Sequence, residues 1–460
     1  MCRMVRAVSA REPWIMKWHR SGFVLALLVC LGIVASGTTP ASPASAAPTD
    51  REVVEALQRG AHPLRTVEPR GDTRDLRPLA RMIGDARVVG LGEATHSTHD
   101  FFAMKHRVFR HLVEEKGFRT FALEASWSTG LRLNDYVLYG TGDPRRIMRD
   151  EFQRDYRLWN NAEYLELVEW MRAYNHRHPD DPVRFMGDDF AYNGPELYDM
   201  VTDYVARNHP GLLDRVNRLY RGLRPTVQAG EYIERYLNRP LAERKEMAVR
   251  TGEALELIKG AGGTGQAYDW AVQHATAIDQ TARGYDFDAE DPEQVAACML
   301  YRDRIMADNV AWWQRHTGTK VLLSAHNAHV GYVTHEPERY PKMQGAFLRD
   351  ELGRDYVSVG FTFDRGSFNA TGPDGRLQHF TVGPAAPGSN EATLDRVRHR
   401  DYVLDLRTAP AAARTWLSTA RPTRSIGTDY PEADRDIALA PSHDILIHLH
   451  RVEASRLRDG

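Results

Sequence analysis

Four short runs, at residues 87–92, 119–123, 183–186 and 320–323, are apolar along their length instead of alternating apolar with polar. A strand of that kind has no face to give to water, so it belongs in a parallel sheet covered by helices on both sides. Helical segments separate the runs. After the first, Phe101, Met104, Val108 and Leu112 fall on one helical face, and Lys116-Gly117 closes the segment. Leu165, Val168 and Met171 repeat the spacing before the third run. The pattern predicts an α/β fold, a mostly parallel sheet flanked by helices.

From Phe190 to Gly318 the strand pattern is missing. Amphipathic helical stretches are punctuated by Pro210, Pro225, Pro240 and the flexible Gly260-Ala261-Gly262-Gly263-Thr264-Gly265. This predicts a large helical lobe, residues 191–317, inserted between the third and fourth strands, with an α/β core formed by residues 47–190 and 318–460. Further strand candidates at 356–363, 402–406 and 444–449 complete the second part of that core.

Residues 1–46 read as a signal peptide. Arg3, Arg6, Arg11, Lys17 and Arg20 precede an almost wholly apolar run at 23–36, and Ala44-Ser45-Ala46 offers small residues for cleavage. The apolar run is short for a bilayer span, so the expectation is a secreted protein with no stable membrane span after cleavage. Met16 is an alternative start, and Val29 before Cys30 argues against a lipoprotein site. Cleavage would remove five Lys or Arg and one Glu, leaving a body four charges more negative than the −2 of the whole chain. An acidic body does not suit nucleic acid. Cys2 and Cys30 leave with the leader, so Cys298, in an apolar stretch, has no partner for an internal disulfide.

The chemistry is carried by the strand ends. In an open parallel sheet, ligands bind in the crevice beyond the carboxyl ends of the strands. Here the first strand runs out into Gly92-Glu93-Ala94-Thr95-His96, the second into Glu124, the third into Asp188-Asp189 and the fourth into His326-Asn327-Ala328-His329. Any one of these is usually a helix cap or a packed residue; four together point to one site. Lys105 falls beside the apolar stripe of its helix, where a charge needs a partner, and it is placed to reach the carboxylates. His99, His106 and His111 on the same helix have no strand-end argument and read as surface or packing residues.

No G-x-S-x-G elbow follows the leader, and the remaining cysteine reads as buried, so a covalent serine or cysteine mechanism lacks its marker. Histidine and carboxylates remain. An imidazole can take a proton from water while a neighbouring carboxylate fixes its tautomer and stabilises the imidazolium. His96 with Glu93 or Glu124 meets that requirement, and His326, His329, Lys105 or an arginine of the lobe would supply donors to an oxyanion.

The blocks Gly92-Glu93-Ala94-Thr95-His96, Lys105-His106-Arg107, Leu123-Glu124-Ala125 and Ala325-His326-Asn327-Ala328-His329-Val330 resemble, in order and spacing, the signature blocks of the erythromycin esterase family. The resemblance implies hydrolysis of the lactone ester of a macrolide, with His96 as general base, Glu93, Glu124, His326 and His329 as other active-site residues, and no metal or cofactor. It also implies roles for Lys105 and for an arginine of the last lobe helix, Arg302, with Arg304 as the competing choice. Ser97 stands where the family places glycine.

Three other readings compete. Glu93, His96, Asp188, His326 and His329 are competent metal ligands, although His326 and His329 lack H-E-x-x-H spacing. Gly90-Leu91-Gly92 after a strand suggests a dinucleotide module, but Thr95 replaces the third glycine and Glu93 would repel a pyrophosphate. An exported small-molecule binding protein is the non-catalytic alternative.

Overall fold

The computed structural model describes residues 48–458. The expected signal peptide lies outside the described residues. Among them, nine strands form one sheet: β1 (His62–Pro63), β2 (Val88–Leu91), β3 (Phe118–Ser126), β4 (Arg184–Asp189), β5 (Lys320–Ser324), β6 (Tyr356–Thr371), β7 (Leu377–Val382), β8 (Tyr402–Asp405) and β11 (Ile445–Val452). Two more, β9 (Arg421–Thr423) and β10 (Arg435–Ile437), make a separate antiparallel pair. The sheet order is β1-β8-β11-β6-β2-β5-β3-β4, with β7 alongside β6. From β11 to β4 every neighbouring pair is parallel; β1, β7 and β8 pair antiparallel.

The apolar runs are explained by what covers them. Val89, Phe121, Phe185, Leu322 and Val357 join one buried cluster, with Phe101, Phe109 and Met171 of the helices His99–Lys116 and Ala162–Arg177. Their chain neighbours Val88, Ala122, Met186, Leu323 and Tyr356 join a second, on the opposite face, with Ile278 and Trp313 of the lobe helices. Successive side chains in a strand point to opposite faces, so a sheet with two dry faces needs both apolar.

Between β4 and β5 the chain forms helices Pro195–Asn208, Leu213–Leu219, Ala229–Leu237, Leu241–Ala261, Gln266–Gly284 and Pro292–Thr317, and no strand. The last of these is set at both ends by sequence. The Asp291 side chain caps the free amides of Glu293 and Gln294, Pro292 opens the first turn, and Gly318 ends it with φ 69°. That helix returns across the sheet and carries Arg302 and Asp303 to the strand ends. The helix Trp127–Tyr139 lies against β4 at backbone distance: a Cβ at Gly130 would sit 1.9 Å from the Gly187 nitrogen. Only glycine allows that approach.

Strand boundaries differ from expectation: β3 runs on to Ser126 and β4 to Asp189, so Glu124, Asp188 and Asp189 are among the last residues of their strands instead of following them. β6 runs on to Thr371 instead of stopping near 363, because its second half pairs with β7 beyond the two-faced core.

Candidate active site

The loop after β2 is pinned before its side chains are considered. The Gly92 amide donates to Val359 O at 2.8 Å, the Asn327 amide to Glu93 O at 2.9 Å, and the Ile426 amide to Ala94 O at 2.7 Å. On this frame His96 Nδ1 meets Glu93 Oε1 at 2.8 Å. The other carboxylate oxygen of Glu93 accepts from Lys105 Nζ, which also donates to Ser324 Oγ at 2.9 Å. Lys105 is fully buried and burial lowers its pKa, against the pull of Glu93. The result is a line, Lys105 to Glu93 to His96. With Nδ1 taken by the carboxylate, Nε2 is the free nitrogen and the ring lies on the cavity wall. The ring packs between Trp159 and His326, each at a centroid distance of 5.0 Å.

A second polar group faces the first. Arg302 Nε and Nη2 donate to Asp189 Oδ2 at 2.9 and 2.5 Å, and Nη2 also to Glu124 Oε1 at 2.8 Å. His329 Nδ1 meets Asp303 Oδ1 at 2.7 Å, while Nε2 lies 3.1 Å from Arg302 Nη1 and 3.3 Å from Glu124 Oε1. Tyr156 donates to the same Asp189 oxygen at 2.5 Å. Burial would push the Glu124 carboxyl up, but the charges of His329, His96 and Arg302 outweigh it and hold it ionised. Burial also resists a charge on His329, and Asp303 and Glu124 overcome it, raising that pKa.

His326 takes a different part. Its Nδ1 accepts from the Ala328 amide at 3.2 Å, so Nε2 carries the hydrogen and donates to Ile426 O at 3.2 Å. Burial, reinforced by His96, drives its pKa well down, and the ring stays neutral. It fixes the floor and supports the His96 ring.

These groups line a cavity of about 360 Å³ that includes His96, Glu124, Tyr156, Trp159, Arg302, His326 and His329. The lining also includes Tyr340, Met343 and residues of the segment between β9 and β10. Of the residues expected from sequence, His96, Glu124, Arg302, His326 and His329 line the cavity, and Glu93 stands directly behind His96. Lys105 is placed differently: it touches Glu93, not the cavity, so its charge acts on the carboxylate and not on a substrate. Asp188 is also placed differently. Its Oδ2 accepts from Gln344 Nε2 at 2.7 Å, behind the site, and it is the next residue, Asp189, that holds Arg302. Burial, with the neighbouring Asp189 charge, raises the Asp188 pKa well above the usual carboxylate range. Arg304, the alternative to Arg302, is exposed and stacks on the Phe347 ring at 4.2 Å.

Asp303, Tyr156 and Trp159 are functional candidates that the strand ends did not single out, and of the pair Asp188-Asp189 it is Asp189 that reaches the site. As for metal, the described group whose ligand atoms converge within 4.8 Å is Asp364, Asp395 and His450, which do not line this cavity. His96, His326 and His329 each spend one or both ring nitrogens on carboxylates and backbone.

A family model described as erythromycin esterase matches residues 113–452. The chain is 26% identical over 341 residues to the erythromycin esterase type II of Escherichia coli, covering 68% of this chain and 77% of that protein. A solved Bacillus cereus protein superposes with a TM-score of 0.82 at 29% identity, covering 90% of this chain and 100% of that one. A mutant of the erythromycin esterase EreC, in its open conformation, superposes with a TM-score of 0.66 at 17% identity, covering 87% and 100%, a likeness of fold.

Proposed function

Since the chain belongs to the erythromycin esterase family, and is a hydrolase on that ground, we propose that it cleaves esters or lactones with a water molecule activated by His96, without a metal. The observation that carries this reading is the ordered line Lys105, Glu93, His96, which leaves one imidazole nitrogen free on a cavity wall.

In the proposed reaction His96 Nε2 takes a proton from water as its oxygen attacks the acyl carbon. Glu93 stabilises the imidazolium, and Lys105 holds Glu93 in place. Negative charge gathers on the former carbonyl oxygen, opposite His96, where Arg302 and His329 supply positive charge. Collapse breaks the bond from acyl carbon to alkoxy oxygen, and the imidazolium returns its proton to the departing oxygen. An ester gives acid and alcohol; a lactone gives one open hydroxy acid.

A macrolide lactone is the substrate suggested by the name of the Escherichia coli relative. Export as a secreted enzyme is supported by the leader at residues 1–46. The commitment of His96 Nδ1, His329 Nδ1 and both His326 ring nitrogens to protein partners favours a metal-free route over the metal alternative.

The test is to incubate the purified protein with a 14-membered macrolide and a panel of simple esters and lactones, with and without chelator, beside His96→Ala. Products gaining one water are expected with chelator present, and the variant should lose about 10²- to 10⁴-fold in rate. Turnover abolished by chelator would replace the mechanism with a metal-dependent one. An intact macrolide beside a cleaved ester would correct the substrate. No cleavage at all would favour a binding protein.

A further inference from the structure

The loop that carries His96 has no regular secondary structure from Gly92 to Ser97, yet its position sets where Nε2 sits. Upstream it grows out of β2. Downstream it is held by residues 453–458, which follow β11. Ser97 is fully buried; its Oγ pairs with Ser455 Oγ at 2.6 Å and its carbonyl accepts from the Ser455 amide at 3.2 Å. Asn369 on β6 joins them. Its Nδ2 donates to Ser97 Oγ at 3.1 Å and to Ser455 O at 2.9 Å, and its amide donates to Ser97 O at 3.1 Å. On either side, the His99 amide donates to Glu453 O at 2.7 Å and Thr98 bridges to Ala454.

The same segment continues to the other wall of the His96 ring. The Ala162 amide donates to Arg456 O and the Arg458 amide to Asn160 O, both at 2.9 Å. Asn161 bridges to Leu457. These residues follow Trp159, whose ring packs on His96. One short strap therefore ties the His96 loop and the Trp159 segment to each other and to the sheet. The matched family region ends at residue 452, before the strap.

We infer that Ser97 and Ser455 are positioning residues for His96, and that residues 453–458 hold its imidazole and the Trp159 ring in register. This rests on the hydrolase reading for its kinetic consequence, though not for its structural one. A misplacement of about 1 Å at a reacting group is enough to cost on the order of 100-fold in rate. A lost hydroxyl pair permits a smaller drift, so the expected losses are smaller.

The experiment uses the full chain with Ser97→Ala, Ser455→Ala and the double variant. It measures kcat and KM on an ester the wild type cleaves, the thermal midpoint, and the His96 ring resonances by NMR. Each single variant should lose about 3- to 10-fold in kcat with KM within about twofold, and the double should be no worse than the poorer single, because the two act as one unit. The His96 resonances should move in all three. A lowered midpoint with unchanged kcat and unchanged His96 resonances would overturn the inference and leave the strap a stabilising element. If the wild type cleaves no ester, the hydrolase reading fails by itself, and the resonances still decide the strap.

Discussion

Lys105 is a buried cation whose partner is a buried anion, and removing one half of such a pair exposes the other. Lys105→Met would leave Glu93 fully enclosed without its countercharge. The expected cost is about 3–5 kcal/mol, read from denaturant unfolding, with Glu93→Gln in the same background restoring part of it. Asp188 behaves in the opposite sense: burial and the Asp189 charge disfavour its ionised form, so Asp188→Asn should keep wild-type activity and melt within a few degrees of wild type. A large loss in Asp188→Asn would show that the ionised form matters. Ser97, standing where the family places glycine, is accommodated because its hydroxyl has a buried partner. His96, Glu93, Glu124, His326 and His329 were legible because each sits at a strand end, where a buried strand meets a crevice. Asp188 and Asp189 were not distinguishable, since adjacent strand residues point to opposite faces and the sequence does not say which face holds the arginine. Asp303 lies on a helix and Tyr156 and Trp159 on a short 3-10 helix, where spacing carries no signal of a distant partner.

The helix His99–Lys116 begins with its own lock. His99 Nδ1 meets Glu163 Oε1 at 2.8 Å and Nε2 meets Glu68 Oε1 at 2.9 Å. Glu163, opposed by burial and aided by Glu68, raises the His99 pKa to about 9. A histidine whose folded pKa lies above its unfolded value stabilises fully below the unfolded value, near 6.5, and loses that contribution as pH rises through about 9. Chemical denaturation from pH 6 to 9.5 should therefore show wild type and His99→Gln converging as pH rises; a constant gap would refute the linkage. The parallel strands β2 to β6 were legible because both faces are apolar. β1 has two residues, and β7 is short and partly exposed, its apolar Leu377, Phe380 and Val382 not strictly alternating, so neither leaves a clear periodic trace. The turn Arg154–Trp159, entered through Arg154 at φ 57°, is fixed by tertiary contacts that no local pattern announces.

At the scale of the molecule, the lobe and the sheet share one buried cluster. Val88, Ala122 and Tyr356 of the strands belong with Val201, Leu255 and Ile278 of the inserted helices. The expected outcome is a single cooperative unfolding transition followed by far-ultraviolet circular dichroism and tryptophan fluorescence together, and a fragment of residues 191–317 that does not fold alone. Two separated transitions would make the lobe an independent domain. Among the described residues no helix is long and apolar enough to cross a membrane. β2 lies at the centre of the sheet, with Val88 opposite Val321 on one side and Tyr356 on the other. Both neighbours come far later in the chain, so β2 and the His96 loop are synthesised early and completed late. Contacts of that range make folding slow. The loop that carries His96 therefore reaches its final place only once β5 and β6 have closed around β2.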